Sequence, residues 1–154
     1  MTLDELDRRL LRLMHEHPRI GHLELSRLAG IARATVTSRL RRMEQAGIIT
    51  GYGPELDLEA AGYAVQAFVT LQISQGRLDD VQRGLEPICG VIEAYATTGD
   101  ADVVCRVAAT SHRDLQQTLL LIDTVDGVSR STSIVILSEV IGRRVLPVLD
   151  SHGR

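Results

Sequence analysis

Residues 30–46 read GIARATVTSRLRRMEQA, a stretch that carries four arginines and a single acidic residue. Val36, Leu40 and Met43 recur at intervals of four and three residues, which predicts one buried stripe on a helix that begins near Ala32. Gly47 follows as the helix terminator. The positions opposite or beside the stripe carry hydroxyl and guanidinium groups: Arg33, Thr35, Thr37, Ser38, Arg39, Arg41 and Arg42.

Two shorter helical patterns precede this segment. An apolar stripe from Leu3 to Met14 predicts a helix that is headed by a T-x-x-E capping box at residues 2–5 and ends at Pro18. HLELSRLA at 22–29 predicts a second helix, which stops at Gly30. A leading helix followed by a helix, a glycine turn and a third helix is typical of a helix-turn-helix module that binds DNA.

In such a module the last helix enters the major groove of duplex DNA. Arg39 and Arg42 are predicted to contact phosphates, because long cations on the flanks of the helix reach the backbone. Charged helix faces are also often merely solvated, so the arginines alone do not establish DNA binding. The candidates for contact with base edges are Arg33, Thr35, Thr37, Ser38 and Arg41.

Charge is unevenly divided along the chain, although the total is −3. Residues 1–53 hold nine arginines and six acids, a charge of +3, whereas residues 54–154 hold eight arginines and fourteen acids, a charge of −6. The chain has no lysine, so its basic side chains other than histidine are all arginines. The guanidinium group of arginine binds phosphate and guanine in bidentate geometry. The division predicts a nucleic-acid module joined to one that needs no polyanion, with the seam at the glycine-rich residues 51–63.

From Tyr63 onward the apolar pattern has a period of two or forms short apolar runs. Strands are predicted at 64–74, 90–99, 101–110 and 127–140, with helices at 78–88 and 112–125. The order β-α-β-β-α-β predicts an α+β chain whose second half is a ferredoxin-like sheet with two helices on one face. Phe68, Val104 and Val135 are too apolar for a solvated face, so we expect the open face to meet a second copy in a homodimer.

Several functional classes are disfavoured by the sequence. No apolar run approaches the ~18 residues of a membrane span, and the first residues are acidic rather than signal-like, so we expect a cytoplasmic protein with no membrane partner. Cys89 and Cys105 fit reduced buried thiols. His15, His17 and His22 lack the companions of a metal site, and no nucleophile or phosphate-binding motif is present. We therefore expect no enzyme, no catalytic residue, no metal and no cofactor.

The run from Leu3 to Tyr52 resembles the amino-terminal helix-turn-helix of the Lrp/AsnC family, the feast/famine transcriptional regulators of bacteria and archaea. The matching features include Asp4 with Asp7, Glu24-Leu25, Gly30, Thr35-Val36, Arg39, Arg42-x-Glu44 and Gly47-x-Ile49. The chain departs from the family where it has Gly21 before the second helix and Ala32 before the third, because the family has hydroxyl residues there. Since a serine N-cap is worth about 1 kcal/mol over alanine, Ala32→Ser should stabilise the chain and leave operator choice intact.

The second half resembles the effector-binding RAM domain of the same family, through T-G-D-A-D at 98–102 and the run from Gly127 to Ser133. The resemblance implies a winged helix-turn-helix domain at 1–50, a linker with a hinge strand at 51–63, a ferredoxin-like effector and oligomerisation domain at 64–140 and a tail at 141–154. It also implies homodimers that assemble into a tetramer or octamer. An amino-acid effector would bind near the T-G-D-A-D loop, between dimers.

The chemistry of this loop suits an amino acid, which presents a carboxylate and an ammonium group. Backbone amides and hydroxyls can hold the carboxylate, and an aspartate can accept from the ammonium. A β-turn with solvated acids has the same local sequence. Ala101 stands where the family often has an aromatic residue, which would either widen the pocket for bulky amino acids or abolish binding. The candidate effector residues are Thr98, Gly99, Asp100, Ala101, Asp102 and Ser133.

These observations favour a sequence-specific DNA-binding transcriptional regulator controlled by an amino acid. Two alternatives remain open on the sequence. The first is an architectural protein that compacts DNA without ligand control, and the second is a small-molecule sensor or enzyme with no DNA role. A ratio of specific to non-specific DNA affinity near one would favour the architectural protein. Loss of DNA binding at physiological salt would favour the sensor or enzyme.

Overall fold

A computed structural model describes residues 2–151, so the parts of the predicted first domain and tail that fall on residue 1 and on 152–154 lie outside the described residues. The chain forms two compact units, one made of 1–55 with 141–154 and the other of 56–140. The first unit contains α1 (Glu5–Glu16), α2 (His22–Ala29), α3 (Arg33–Gln45) and α6 (Leu146–Ser151). None of the described helices is long and apolar enough to cross a membrane.

The helical unit has a core drawn from one stripe of each of the first three helices. Leu10 of α1, Leu25 of α2, and Val36, Leu40 and Met43 of α3 are all at most 2% exposed. These are the residues whose spacing predicts the helices, and the three-helix arrangement is confirmed. Burial of each such side chain contributes roughly 1.5–3 kcal/mol, so this core holds α3 firmly while its outer face stays in solvent.

Helix α1 begins two residues later than the capping box predicted at Thr2. Asp4 is the N-cap, and its carboxylate accepts from the backbone N–H of Asp7 at 2.9 Å. Asp7 reciprocates, accepting from the backbone N–H of Asp4 at 3.1 Å. Both pairs have the i, i+3 spacing of a capping box, and the later pair forms because the Asp7 carboxylate is buried among partners from α3.

The other two helix starts have no side-chain cap. Gly21 and Ala32 are the N-caps of α2 and α3, and neither supplies a hydrogen-bond acceptor to the first turn. Gly30, with φ +66°, ends α2 in the left-handed conformation and makes the sharp turn into α3. The sequence departures at 21 and 32 therefore fall on the two N-caps.

After α3 the chain continues without a strand. In the described part of the chain no strand lies between α3 and residue 64, so the predicted hinge strand within 51–63 is not formed, and residues 58–62 form a turn instead. A single extended segment leaves its backbone N–H and C=O groups unpaired unless another strand lies beside it. Within this chain no such partner strand is present among residues 2–151.

The predicted tail is not a free extension. Its helix α6 packs against α1, where the Arg8 Nε atom donates to the carbonyl oxygen of Leu149 at 3.2 Å. Residues 141–151 thus belong to the helical unit, although they follow the sheet in sequence.

The second unit is the predicted β-α-β-β-α-β fold. It comprises β1 (Val65–Ile73), α4 (Leu78–Leu85), β2 (Val91–Ala96), β3 (Val103–Ala109), α5 (His112–Asp123) and β4 (Val128–Ile136). The antiparallel sheet has the order β2-β3-β1-β4, which confirms the ferredoxin-like topology. Strand β4 ends four residues before the predicted Val140, and its last pairing joins Ile136 to Gln66, one residue from the start of β1.

The sheet has one face against the helices and one open face. Val69, Leu71 and Cys105 are fully buried on the helix side. On the open face Phe68 lies opposite Ile134, and these two side chains are 43% and 58% exposed. The open apolar face is thus formed as predicted, with one correction.

Val135 does not lie on the open face. It is paired with the buried Ala67, and residues directly opposite each other share a face, so Val135 points to the helix side of the edge strand. Tyr95 of β2, paired with Val104, joins Phe68 and Ile134 on the open face and is 59% exposed.

Two glycines allow the helices of this unit to approach their neighbours closely. A Cβ atom at Gly84 of α4 would lie 2.5 Å from Cγ1 of Val125. One at Gly90, before β2, would lie 2.8 Å from Cγ2 of Thr118 in α5. Any larger residue at these positions would require the packing to shift.

Candidate nucleic-acid interface and effector loop

The exposed side of α3 forms a shallow concave surface of about 530 Å³, which we call the α3 face. It is lined by Arg33, Ala34, Thr37, Ser38 and Arg41. Within residues 2–151 the guanidinium groups of Arg33 and Arg41 make no hydrogen bond or ion pair. Small side chains at the centre with free cations at either end leave room for a second molecule to approach the helix backbone.

His22, the first residue of α2, lies beside the α3 face. Its Nδ1 atom is 3.3 Å from the Thr37 hydroxyl, which also donates to the carbonyl oxygen of Arg33 at 3.1 Å. The sequence indicates only that His22 lacks the companions of a metal site. Since the contact joins residues fifteen positions apart, only the packing of α2 on α3 reveals it.

Arg39 and Arg42 have partners other than the predicted phosphates. The Arg39 Nη1 atom donates to Asp7 Oδ1 at 3.1 Å and also to the Asp4 carboxylate. Arg42 Nη2 donates to Asp7 Oδ2 at 2.7 Å. The structure therefore directs these two side chains toward α1 and away from the α3 face.

The electrostatics of this contact are strong. Asp7 is fully buried, and each of its carboxylate oxygens accepts from one arginine. The hydrogen bond from Arg39 lowers the pKa of Asp4 to about 2, with a further contribution from the backbone N–H of Asp7. Sequence reasoning noted both aspartates without assigning them a role, although their i, i+3 spacing matches that of the two arginines.

Thr35 is exposed but does not line the α3 face. It lies seven residues, or two helical turns, before Arg42, so the two side chains are on the same side of the helix. Thr35 thus lies on the flank of α3 that is nearer α1.

The T-G-D-A-D residues form the loop between β2 and β3. Its ends are closed by the backbone N–H of Thr97, which donates to the Asp102 carbonyl at 2.9 Å, and by the Thr97 hydroxyl, which donates to the Ala101 carbonyl at 2.7 Å. Gly99 has φ +113° and open space around it, so the loop presents its backbone to solvent at this point. Thr98 and Asp100 are also exposed.

The two aspartates of the loop have different environments. Asp102 Oδ2 accepts from the backbone N–H of Ile73 at 2.8 Å, which ties the loop to the end of β1. The Asp100 carbonyl accepts from the Gln72 side chain at 3.2 Å, but its carboxylate has no hydrogen-bond partner within residues 2–151. Of the two predicted acceptors for an ammonium group, Asp100 is therefore the one whose charge is free.

Ser133 is not brought to the loop. It pairs with Val69 on β1, which in turn pairs with Cys105 on β3, so two strand spacings of about 4.8 Å, or roughly 10 Å, separate Ser133 from β3. Ser129 is connected more directly, because its hydroxyl donates at 3.0 Å to the carbonyl of Gln72, the residue that contacts the loop. Of the predicted set, Ser133 alone lies on β4, the strand at the opposite edge of the sheet from β2.

A larger cleft of about 810 Å³ lies on the helix side of the sheet unit, between Gly84 of α4 and Thr118 of α5. The Thr118 hydroxyl donates to the Asp114 carbonyl at 3.1 Å, and Asp114 Oδ2 accepts from the backbone N–H of Thr110 at 2.8 Å. These polar groups are satisfied internally. No cluster of three His, Cys, Asp or Glu side chains that could hold a metal occurs in the part of the chain that the structure describes.

Comparison with known families divides the chain between residues 50 and 66, an interval that contains the first boundary of the fold at 55–56. Residues 3–50 match the family description "Winged helix-turn-helix DNA-binding", and residues 66–146 match "Lrp/AsnC ligand binding domain". The HTH-type transcriptional regulator LrpA of Mycobacterium tuberculosis is 32% identical over 147 residues, which are 95% of this chain and 98% of the relative.

Solved structures that resemble this fold are of the same kind as the relatives found by sequence. The structure of Escherichia coli AsnC has a TM-score of 0.88 at 30% identity and covers 96% of this chain and 100% of its own. A feast or famine regulatory protein from M. tuberculosis, complexed with L-methionine, has a TM-score of 0.84 at 33% identity, with 94% and 98% covered.

Proposed function

Because the chain belongs to the Lrp/AsnC family of transcriptional regulators, we propose that its α3 face reads operator DNA and that an amino acid bound at residues 97–102 controls this reading. The observation that carries the first part is the division of the α3 arginines into two kinds. Arg39 and Arg42 are held by carboxylates, whereas Arg33 and Arg41 are exposed and have no side-chain partner among residues 2–151. Free guanidinium groups suit guanine edges and phosphates.

The dimensions of the α3 face fit one half-site. Arg33 and Arg41 are eight residues apart, so they are separated by about 12 Å along the helix axis. That length matches three to four base pairs, since successive pairs on B-DNA are about 3.4 Å apart. We assign base contacts to Arg33, Arg41, Thr37 and Ser38, with Ala34 allowing close approach. Thr35 is assigned to the adjacent backbone, because it lies on the flank of the helix.

A homodimer would supply two such faces. The exposed apolar side chains Phe68, Tyr95 and Ile134 on the open sheet face support pairing with a second copy, since apolar surface of this kind is unfavourable in water. A two-fold dimer reads two half-sites about 34 Å apart, one turn of DNA. Further assembly to a tetramer or octamer and a cytoplasmic site of action are parts of the same proposal.

The effector proposal assigns separate roles to the loop residues. The free carboxylate of Asp100 accepts from the ammonium group, and the exposed backbone around Gly99, with the Thr98 hydroxyl, donates to the carboxylate. Asp102 holds the loop on β1, and Ala101 leaves space for the side chain of the ligand. The loop is open on a single chain, so a second copy completes the pocket, and the ligand acts by binding one assembly better than another.

The test of DNA reading is a comparison of Arg41→Ala with Arg83→Ala. Arg83 is exposed on α4 and pairs with Asp80, so its removal changes the net charge equally without touching the α3 face. Fluorescence anisotropy at fixed salt would compare an operator, selected from random duplexes, with a scrambled duplex. Arg41→Ala is expected to weaken operator binding by about 5-fold to 150-fold and scrambled binding much less.

Two results would contradict this proposal. A wild-type ratio of operator to scrambled affinity near one would favour the architectural alternative. Equal losses for Arg41→Ala and Arg83→Ala on the operator would remove Arg41 from the reading face.

The effector proposal is tested by thermal shift with L-methionine and L-phenylalanine. The wild type should be stabilised by at least one of them, in proportion to the logarithm of its concentration above Kd. Asp100→Asn should lose the shift, whereas Asp79→Asn, which removes an exposed acid in the first turn of α4, should keep it. Equal shifts in both variants would exclude Asp100 as the ammonium acceptor.

A further inference from the structure

Four charged residues join α1 to the recognition helix α3, and we call them the carboxylate clamp: Asp4, Asp7, Arg39 and Arg42. The two aspartates are three residues apart at the start of α1, and the two arginines are three residues apart on α3. Each set therefore lies on one side of its helix, and the two sides face each other. Asp7 lies at the centre and contacts both arginines.

The buried position of Asp7 makes the clamp persistent. An unpaired carboxylate in an apolar core is strongly unfavourable, so Asp7 requires its arginine partners. The arginines are less dependent on Asp7, because the Arg39 and Arg42 side chains remain 27% and 49% exposed. If the carboxylates were neutralised, both guanidiniums could turn toward another anion in solvent.

The position of Arg39 and Arg42 on α3 determines what they would contact if they were released from the aspartates. Arg42 directly follows Arg41, whose side chain lines the α3 face, so a released Arg42 would lie beside a bound duplex. Phosphate contacts of this kind add affinity for every sequence alike and none for a particular one. Four available arginines on one helix would bind any DNA more tightly and distinguish sequences less.

We propose that Asp4 and Asp7 determine specificity by withholding Arg39 and Arg42 from the DNA backbone, so that base contacts by Arg33 and Arg41 dominate. This inference rests on the proposed α3 face. The aspartates do not touch DNA themselves. Their role is to hold two arginine side chains in ion pairs, so that these cations are not available to the DNA that contacts α3.

Asp4→Asn tests the clamp without removing the helix cap, because asparagine is as good an N-cap as aspartate. Glu5→Gln is the matched control: it changes the net charge equally in the same turn of α1, and Glu5 pairs with Arg12 instead of with α3. Binding of a scrambled duplex and of the operator would be measured by anisotropy between 0.05 and 0.5 M salt, a range of about tenfold that resolves one phosphate contact.

The expected result has three parts. In Asp4→Asn, Arg39 keeps only its hydrogen bond to Asp7. This partial release should steepen the dependence of log K on log salt by up to about 0.9, the value for one added phosphate contact. It should also tighten scrambled binding by about fivefold to tenfold at 0.1 M salt and so lower the specificity ratio. Adding Arg39→Gln to Asp4→Asn should return the salt slope to that of the wild type, while Glu5→Gln should leave it unchanged.

A second pair of variants repeats the test at the centre of the clamp. Asp7→Asn should release Arg42 in the same way, and Asp7→Asn with Arg42→Gln should reverse the gain, measured at a temperature where circular dichroism shows native helix content. The proposal is overturned if Asp4→Asn and Glu5→Gln behave alike, or if the double variants keep the steeper slope. If the wild type bound neither duplex at any salt concentration, the proposed DNA-binding function itself would be refuted.

Discussion

Ala32→Ser is expected to stabilise the helical unit by about 1 kcal/mol, because it supplies the cap that α3 lacks. The backbone at Ala32 has φ −63° and ψ 142°, the extended conformation that N-cap residues adopt. A serine hydroxyl there could accept from the backbone N–H of Ala34 or Thr35 without any movement of the chain. The gain should therefore not be offset by strain.

The assay is thermal unfolding followed by circular dichroism. For a unit of this size, 1 kcal/mol corresponds to an increase in Tm of roughly 4–8 °C. Ala34→Ser is the control, because it places the same side chain two residues further along, inside the helix, where serine is a weaker helix former than alanine and should lower Tm slightly. Ala32 does not line the α3 face, so operator preference should be unchanged.

The result that would refute this reasoning is a Tm for Ala32→Ser equal to or below that of the wild type. An increase of equal size for Ala34→Ser would also refute it, since the gain would then not depend on the N-cap position. Gly21→Ser provides an independent check at α2, where the backbone is again extended and nothing lies within 4 Å of the added Cβ.

Three further results are expected from the structure. Gly84→Ala should lower the urea midpoint and cost about 1–3 kcal/mol, because its Cβ would overlap a neighbouring valine, whereas Gly53→Ala has open space and should not. Asp4 has its pKa lowered from 3.8 to about 2, so its stabilising contribution is present above pH 4 and lost as pH falls toward 2; Asp4→Asn should therefore flatten this arm of an acid-unfolding curve. Cys89, which was wrongly predicted to be buried, is exposed and should react with iodoacetamide in the native protein, whereas Cys105, whose pKa burial raises to about 11, should react only after unfolding.

The elements of the fold are the part that periodicity predicts well. Apolar spacings of three and four on α3, and of two on β1, arise because each element buries one face, so they report the element and its buried face together. The ends of helices and strands are harder to predict from periodicity. Strand β4 continues in pattern to Val140 but ends at Ile136, since its length depends on where the partner strand begins.

The sequence places candidate site residues together where they lie on one element, and it does not reveal their partners where a contact joins two elements. The α3 face brings Arg33, Thr37, Ser38 and Arg41 together because a single helix presents them at helical spacing. The partners of Arg39 are on α1, and nothing local to α3 distinguishes a guanidinium that meets phosphate from one that meets a neighbouring helix.

Sheet register caused the other differences. The faces of Ser133 and Val135 follow from which β1 residue each opposes, and a shift of one residue exchanges the faces. The hinge strand predicted within 51–63 could not be judged from local sequence either. A strand requires a partner strand, and residues 2–151 of this chain supply none for this segment.

The return of α6 to the helical unit means that the chain passes between its two units twice, at 55–56 and again at 140–141. The sheet unit is in this sense an insertion within the helical unit. A nick by protease at 55–56 would leave the sheet unit covalently attached only to the segment that contains α6, and a nick at 140–141 would leave it attached only to the segment that contains α1, α2 and α3.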